Sequence, residues 1–307
     1  MSAPQSGITP AANTDALFLT FLLKEDRDHL KKARSACAGI PELTRNLARK
    51  HPDAQISTTI SIGSAAWDRL HPKAKPEALT PFKALQDGDR VAPATPGDLL
   101  LHIRSNRKDI NFILMREALA LLGDSVELEE EVTGFRYLES RDLTGFVDGT
   151  ENPEGDSRTA VALVGTEDST FAGGTYIHCQ RYIHLLQEWE QQPVAEQEKI
   201  IGRSKADDIE FSYEQKAPVA HIKRVNIKDT QGRGKEILRH SMPYGNAKEA
   251  GLFFMSCCRT PEHFEEMLEA MMLADSQGHY DHLMRFSKPV TGCAFFAPSI
   301  DFLEAHR

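Results

Sequence analysis

The sequence is poor in cysteine, with Cys37, Cys179, Cys257, Cys258 and Cys293 the only five in 307 residues. An odd number without paired metal-ligand spacing excludes a disulfide framework and a thiolate zinc site, and fits reduced thiols in a reducing compartment. Cys257 and Cys258 adjoin in an apolar run, so in a strand they point to opposite faces and pack. A basic stripe is also missing: the formal net charge is -9, with Lys and Arg scattered among the acids, which argues against a nucleic-acid partner. No window approaches the roughly 20 apolar residues that span a bilayer, and MSAPQSGITPAANTDA at the N-terminus has neither a positive n-region nor a twin arginine. The expectation is a cytoplasmic protein with no membrane association and a short frayed start. Low-complexity sequence is absent, and the hydrophobic content of 40% suffices for a substantial core of one large or two ordinary domains.

What is present looks duplicated. GDLLLHIRSNRKDINFILMREALALL (97–122) and AGLFFMSCCRTPEHFEEMLEAMML (250–273) each run from an apolar strand pattern through a polar turn into a helix-period pattern. Thr260-Pro261-Glu262 supplies a cap with proline in the first turn. ALFLTFLL (16–23) and GGTYIHCQRYIHLL (173–186) open the two halves, and further strand-like runs lie at 56–63, 125–138, 217–227 and 291–298. This pattern predicts an α+β protein of two similar halves, antiparallel sheets with helices packed on them, divided as 1–139 and 140–307. The polar, turn-rich stretches 187–217 and 228–249 are expected to pass over a ligand site.

Three short stretches carry residues suited to chemistry. In GFVDGTENP (145–153) Asp148 sits between an apolar segment and a glycine, which reads either as a plain turn or as a carboxylate held on a fixed base beside a cavity. His221 in APVAHIKRVN lies in an apolar-flanked run predicted to be extended, as a hydrogen-bonded core histidine or as a ligand. In EILRHSMPYG a period of two puts Arg239 and Ser241 on one face and His240 on the other. His29, His51, His71 and His306 sit in solvated contexts, and His279-Tyr280-Asp281-His282 lacks the glutamate-bearing helix of a zinc hydrolase.

Taken in order, GFVDGTENP, PVAHIKRVN and ILRHSMPYG resemble the dye-decolourising peroxidases, in particular their cytoplasmic bacterial branch, over nearly the whole chain. The resemblance implies ferredoxin-like halves and one haem b per chain, held mainly by the C-terminal half, with the Gly145–Pro153 motif reaching it. It implies His221 as the iron ligand, Asp148 and Arg239 as the distal pair, and Ser241 beside them where relatives often carry asparagine. Asp281, with Asp275 as second choice, is the candidate carboxylate on the other nitrogen of His221, raising its basicity. Arg224 and the polar Thr150 to Asn152 segment are candidates to meet the haem propionates, and Phe253, Phe254, Met267 and Leu268 to line the macrocycle.

The activity so implied is reduction of hydrogen peroxide through a ferryl intermediate with oxidation of small organic donors such as dyes, phenols or porphyrinogens. Asp148 would move the proton, and Arg239 would stabilise charge on the leaving oxygen. Because an aspartate stays ionised well below neutrality, a pH optimum on the acid side is expected. The alternative is a porphyrin-handling protein that stores haem or releases its iron; such a carrier needs the axial ligand but no distal acid with a cation. Bulky donors would need a surface relay, for which Trp67, Trp189 and a few tyrosines are the candidates. A homo-oligomer is implied, and the end at Glu304-Ala305-His306-Arg307 offers no apolar tail for packaging into a protein shell.

Overall fold

The computed structural model describes residues 2–307. Eight antiparallel strands form its centre: β1 (Asp15–Leu23), β2 (Ser57–Gly63), β3 (Leu99–Ser105), β4 (Val126–Phe135), β5 (Thr175–His184), β6 (Met242–Gly245), β7 (Ala250–Cys258) and β8 (Cys293–Ala297). Pairing runs β5-β8-β2-β3-β1-β4-β6-β7 and returns to β5, so the sheet closes into a barrel. Within the first half the order is β4-β1-β3-β2, and within the second β8-β5-β7-β6, the same order of first to fourth strands.

The two halves do not stand as separate sheets. Gly134 on β4 pairs with Tyr244 on β6, and Phe295 on β8 pairs with Gly63 on β2, which stitches one half to the other at both edges. Closure removes the exposed edges that two open sheets would present. It also explains why DALFLTFLL and STTISIG are apolar or small at almost every position: both faces of these strands are buried. Ala16 and Phe18 point into the barrel, where Phe18 stacks on Phe253 of β7 at 4.1 Å. Leu17, Leu19 and Phe21 point outward beneath the helices α1 (Arg27–Lys50) and α2 (Lys108–Leu122).

One predicted strand is a helix. The 217–227 run, read as extended from its apolar flanks, contains α3 (His221–Val225), entered through a turn in which Ala220 N–H donates to Ala217 O. Its long cations hold it in place. Lys223 donates to Tyr213 O and Lys216 O, while Arg224 donates to Ala270 O and Leu273 O at the end of α4 (Glu262–Met272). The Arg224 bonds satisfy helix-end carbonyls of α4, which a strand at this position would leave bare.

Candidate active site

A cavity of about 360 Å³ opens on the outer face of the second half, within the usual range for small-molecule sites. Leu252 and Phe254 of β7 line it, while their neighbour Phe253 belongs to the barrel interior, as strand alternation requires. Met267, Leu268 and Met271 from α4 complete an apolar lining. The polar excursions cross it as predicted, contributing Ile201, Arg203 and Glu210 from the first and Gly234 to Ile237 from the second.

His221, at the start of α3, lines this cavity, and its Nδ1–H donates to Asp281 Oδ2 at 2.6 Å. Asp281 is completely buried, and its other oxygen, Oδ1, accepts from Leu283 N–H at 2.9 Å, capping the turn 282–285. Both carboxylate oxygens are thereby used, and the Nε2 lone pair of His221 is left for a ligand. Asp275, the second choice for this partner, instead pairs with Arg224 and His279.

The GFVDGTENP turn brings Asp148 to the same cavity. Its N–H donates to Ser140 O, and Gly145 and Gly149 adopt φ of +90° and +94°, a region that favours glycine. Burial raises the Asp148 pKa above the ordinary aspartate value, with Asp142 acting the same way and the charges of Arg239 and His221 acting against them. Arg239 and Ser241 line the cavity together, and His240 between them points into the barrel.

Arg239 is held by a device the sequence did not reveal. Asn152, four residues after Asp148, accepts the Arg239 N–H on its amide oxygen at 2.8 Å and donates its amide N–H to Arg239 O at 2.9 Å. One side chain thus replaces a missing strand neighbour and ties the acid's loop to the cation's strand. Thr150 lines the cavity while donating to Asp208. Arg224 is the clear displacement: its guanidinium is committed to the end of α4 and to Asp275, and it is not part of the lining. Besides Arg239, two cations line the cavity: Lys235, paired with Glu262 and Glu266, and Arg203, nearly buried and paired with Glu151 and Asp208. In GRSKADD Arg203 reads as one more solvated charge, and no sequence signal separates it from its neighbours.

A second unanticipated group is a hydrogen-bonded chain in the cavity wall, in which Ser287 Oγ and His184 Nδ1 share a bond at 2.9 Å and His184 Nε2–H donates to Asp142 at 3.0 Å. Burial would raise the Asp142 pKa, but the His184 charge and the bonds from His184 and Thr144 outweigh it and hold it at about 2. Trp67 and Trp189, the candidate surface relays, are 0% and 1% exposed. Trp189 packs on Phe146, which lines the cavity, whereas Tyr213 is exposed at 67%. Among the described residues no cluster of three or more His, Cys, Asp or Glu is arranged to hold a bare metal ion.

Two family models match the chain: Dyp-type peroxidase, N-terminal, over residues 5–136, and Dyp-type peroxidase, C-terminal, over residues 139–302. A dye-decolorizing peroxidase of Mycobacterium tuberculosis is 42% identical over 299 residues, covering 97% of this chain and 88% of the relative. Among solved structures, a DypB variant from Rhodococcus jostii RHA1 in complex with heme superposes with a TM-score of 0.95 at 36% identity, covering 99% of this chain and 98% of that one. The dye-decolorizing protein of V. cholerae superposes with a TM-score of 0.91 at 37% identity, covering 98% of this chain and 99% of that one. With both models matched and relatives aligned over nearly their whole length, the chain belongs to the Dyp-type peroxidase family.

Proposed function

We propose that this chain is a haem b peroxidase that reduces hydrogen peroxide and oxidises small organic donors, dyes and phenols among them. The observation that carries the reading is the convergence on one cavity of a histidine with a carboxylate-bound Nδ1 and a distal-type acid and cation, Asp148 and Arg239. The donor set fits the cofactor: one imidazole nitrogen suits an iron already held by a macrocycle, and the apolar lining suits the porphyrin faces. His221 would ligate the iron, and Arg203, with Thr150 at the same wall, would meet the propionates in place of Arg224. When bound, haem supplies an iron that takes up peroxide and stores its oxidising equivalents.

The chain's own groups would do the rest. Asp281 keeps the Nδ1 proton of His221 engaged, which fixes the tautomer and raises the basicity of Nε2. Asp148 takes a proton from peroxide and returns it to the departing oxygen, and its raised pKa makes it a stronger base than a solvated aspartate. Arg239, permanently cationic, stabilises the negative charge that builds on that oxygen. Asn152 holds the Arg239 backbone to the Asp148 loop, so that acid and cation keep one mutual position.

The distal pair favours catalysis over haem storage or iron release, since a carrier has no use for a preorganised acid and cation. The reading also includes two duplicated ferredoxin-like halves divided as 1–139 and 140–307, supported by the repeated strand order, and assembly as a homo-oligomer. A cytoplasmic location is part of it, supported by five free cysteines; no described helix is long and apolar enough to cross a membrane. The test is haem reconstitution followed by peroxide mixing. Wild type should bind haem and change its spectrum rapidly on peroxide, and a haem-bound protein inert to peroxide would favour the carrier.

A further inference from the structure

The barrel interior holds polar groups that the peroxidase chemistry does not use. On β3, His102 and Arg104 point inward, and their partners across the β2 pairing are Thr59 and Ser57. All four are buried: His102 and Thr59 are 0% exposed, Ser57 5% and Arg104 8%. Yet both ring nitrogens of His102, the Nε of Arg104 and the hydroxyls of Thr59 and Ser57 have no hydrogen-bond partner within the protein. His102 stacks on Phe18 at 4.7 Å and lies 6.2 Å from the ring of His240.

The charge balance is as uneven as the bonding. Arg104 makes no ion pair with a carboxylate among the described residues, and the other cation acting on it is Arg158, whose guanidinium donates to Pro10 O. Its one side-chain partner is His240, which accepts an Arg104 N–H on Nδ1 at 3.1 Å and donates Nε2–H to Ile8 O at 2.8 Å. Burial holds His240 down to about 3 and His102 well below its ordinary value, so neither adds charge and neither removes any. A cation taken out of water without a counter-charge is costly, as is each buried donor or acceptor left unbonded. The unbonded atoms offer up to four donors on one face of two paired strands, namely the two hydroxyls, the Arg104 Nε–H and one His102 N–H, around one unbalanced cation, which matches what a small anion requires.

We propose that the barrel interior contains a binding site for one small monovalent anion of the halide or nitrate class, seated on the Arg104 guanidinium with the Ser57 and Thr59 hydroxyls and the His102 ring as further donors. The site is separate from the haem cavity, since none of these residues lines it. It touches the catalytic strand through His240, which lies between Arg239 and Ser241, so an occupant braces the segment that presents both to the cavity.

Bromide is the probe. Crystals of the haem-loaded protein grown in sodium bromide should show an anomalous peak in contact with Arg104 inside the barrel. Surface bromides with only water at Arg104 would overturn the proposal. In solution, replacing gluconate by bromide at constant ionic strength should raise the melting temperature saturably by a few degrees, as expected for a ligand that binds only the folded state. Arg104→Met should abolish that rise while keeping any halide effect exerted at the haem, and Arg104→Lys should retain part of it. A wild-type melting temperature indifferent to the anion, or a rise undiminished in Arg104→Met, contradicts the site. Should Arg104→Met fail to fold, the anomalous map of the wild type decides alone.

Discussion

Replacing Asp281 by Asn changes one atom and removes two functions at once. In the wild type Oδ2 accepts from His221 and Oδ1 accepts from Leu283 N–H, and the group is wholly buried. Asparagine has one oxygen, so its NH2 must face one of the two N–H donors. Either the imidazole or the cap loses its acceptor, and the imidazole loses the negative charge in both cases. A charge-assisted bond is about twice as strong as a neutral one, and an unsatisfied buried donor costs about 1–3 kcal/mol. If about 1–2 kcal/mol of this favours ferric over ferrous haem through a more basic His221, the reduction potential should rise by about 40–90 mV, at 59 mV per tenfold change for one electron. Spectroelectrochemical titration of the haem-loaded variant reads this directly, and Asp275→Asn should leave the potential alone because Asp275 bonds elsewhere. An Asp281→Asn protein with full haem content and an unchanged potential would refute the assigned role.

Arg239→Leu should slow the reaction with peroxide by about a hundred- to a thousandfold with haem retained, the usual cost of one preorganised charge stabiliser, as measured by stopped-flow mixing. Asn152→Ala should retain Arg239 yet lower both the peroxide rate and the melting temperature, its two lost backbone bonds being worth about 1–3 kcal/mol; a wild-type rate would show that the clamp is dispensable. Asp148 has a raised pKa and acts as a base only when ionised, so the wild-type rate should fall as pH drops through that raised value. Asp148→Asn should be slower, less so than Arg239→Leu, and should lack this acid limb. Asp142, held at about 2 against an unfolded value near 3.8, contributes stability that is fully present above about pH 4 and lost as pH falls through about 2. Asp142→Asn should therefore cost about 2 kcal/mol at neutral pH by denaturant unfolding, with the gap to wild type closing in acid.

Much of this was legible because its signals are local. Strand alternation placed Arg239 and Ser241 together and sent His240 the other way, and the two strand-turn-helix units at 97–122 and 250–273 appear as β3 with α2 and β7 with α4. The turn glycines announced the rigidity of Asp148. What escaped depends on partners distant in sequence. Barrel closure rests on pairs such as Gly134 with Tyr244, which no local pattern encodes. The apolar flanks of His221 resembled a strand, but tertiary bonds from Lys223 and Arg224 fix a helix there. Asn152 and Arg203 sit in polar stretches whose composition is that of any surface loop, and only the fold turns one into a clamp and buries the other.

The proposed function rests on His221 as the side chain that would ligate haem iron. Purified wild type and His221→Ala, each reconstituted with haem, should be compared by absorption and resonance Raman spectroscopy before and after peroxide. The account predicts a histidine-ligated spectrum that changes on peroxide in the wild type, and little haem or an altered Soret band in the variant. A variant with normal haem content and the same axial-ligand signature would contradict it and assign the iron to another residue.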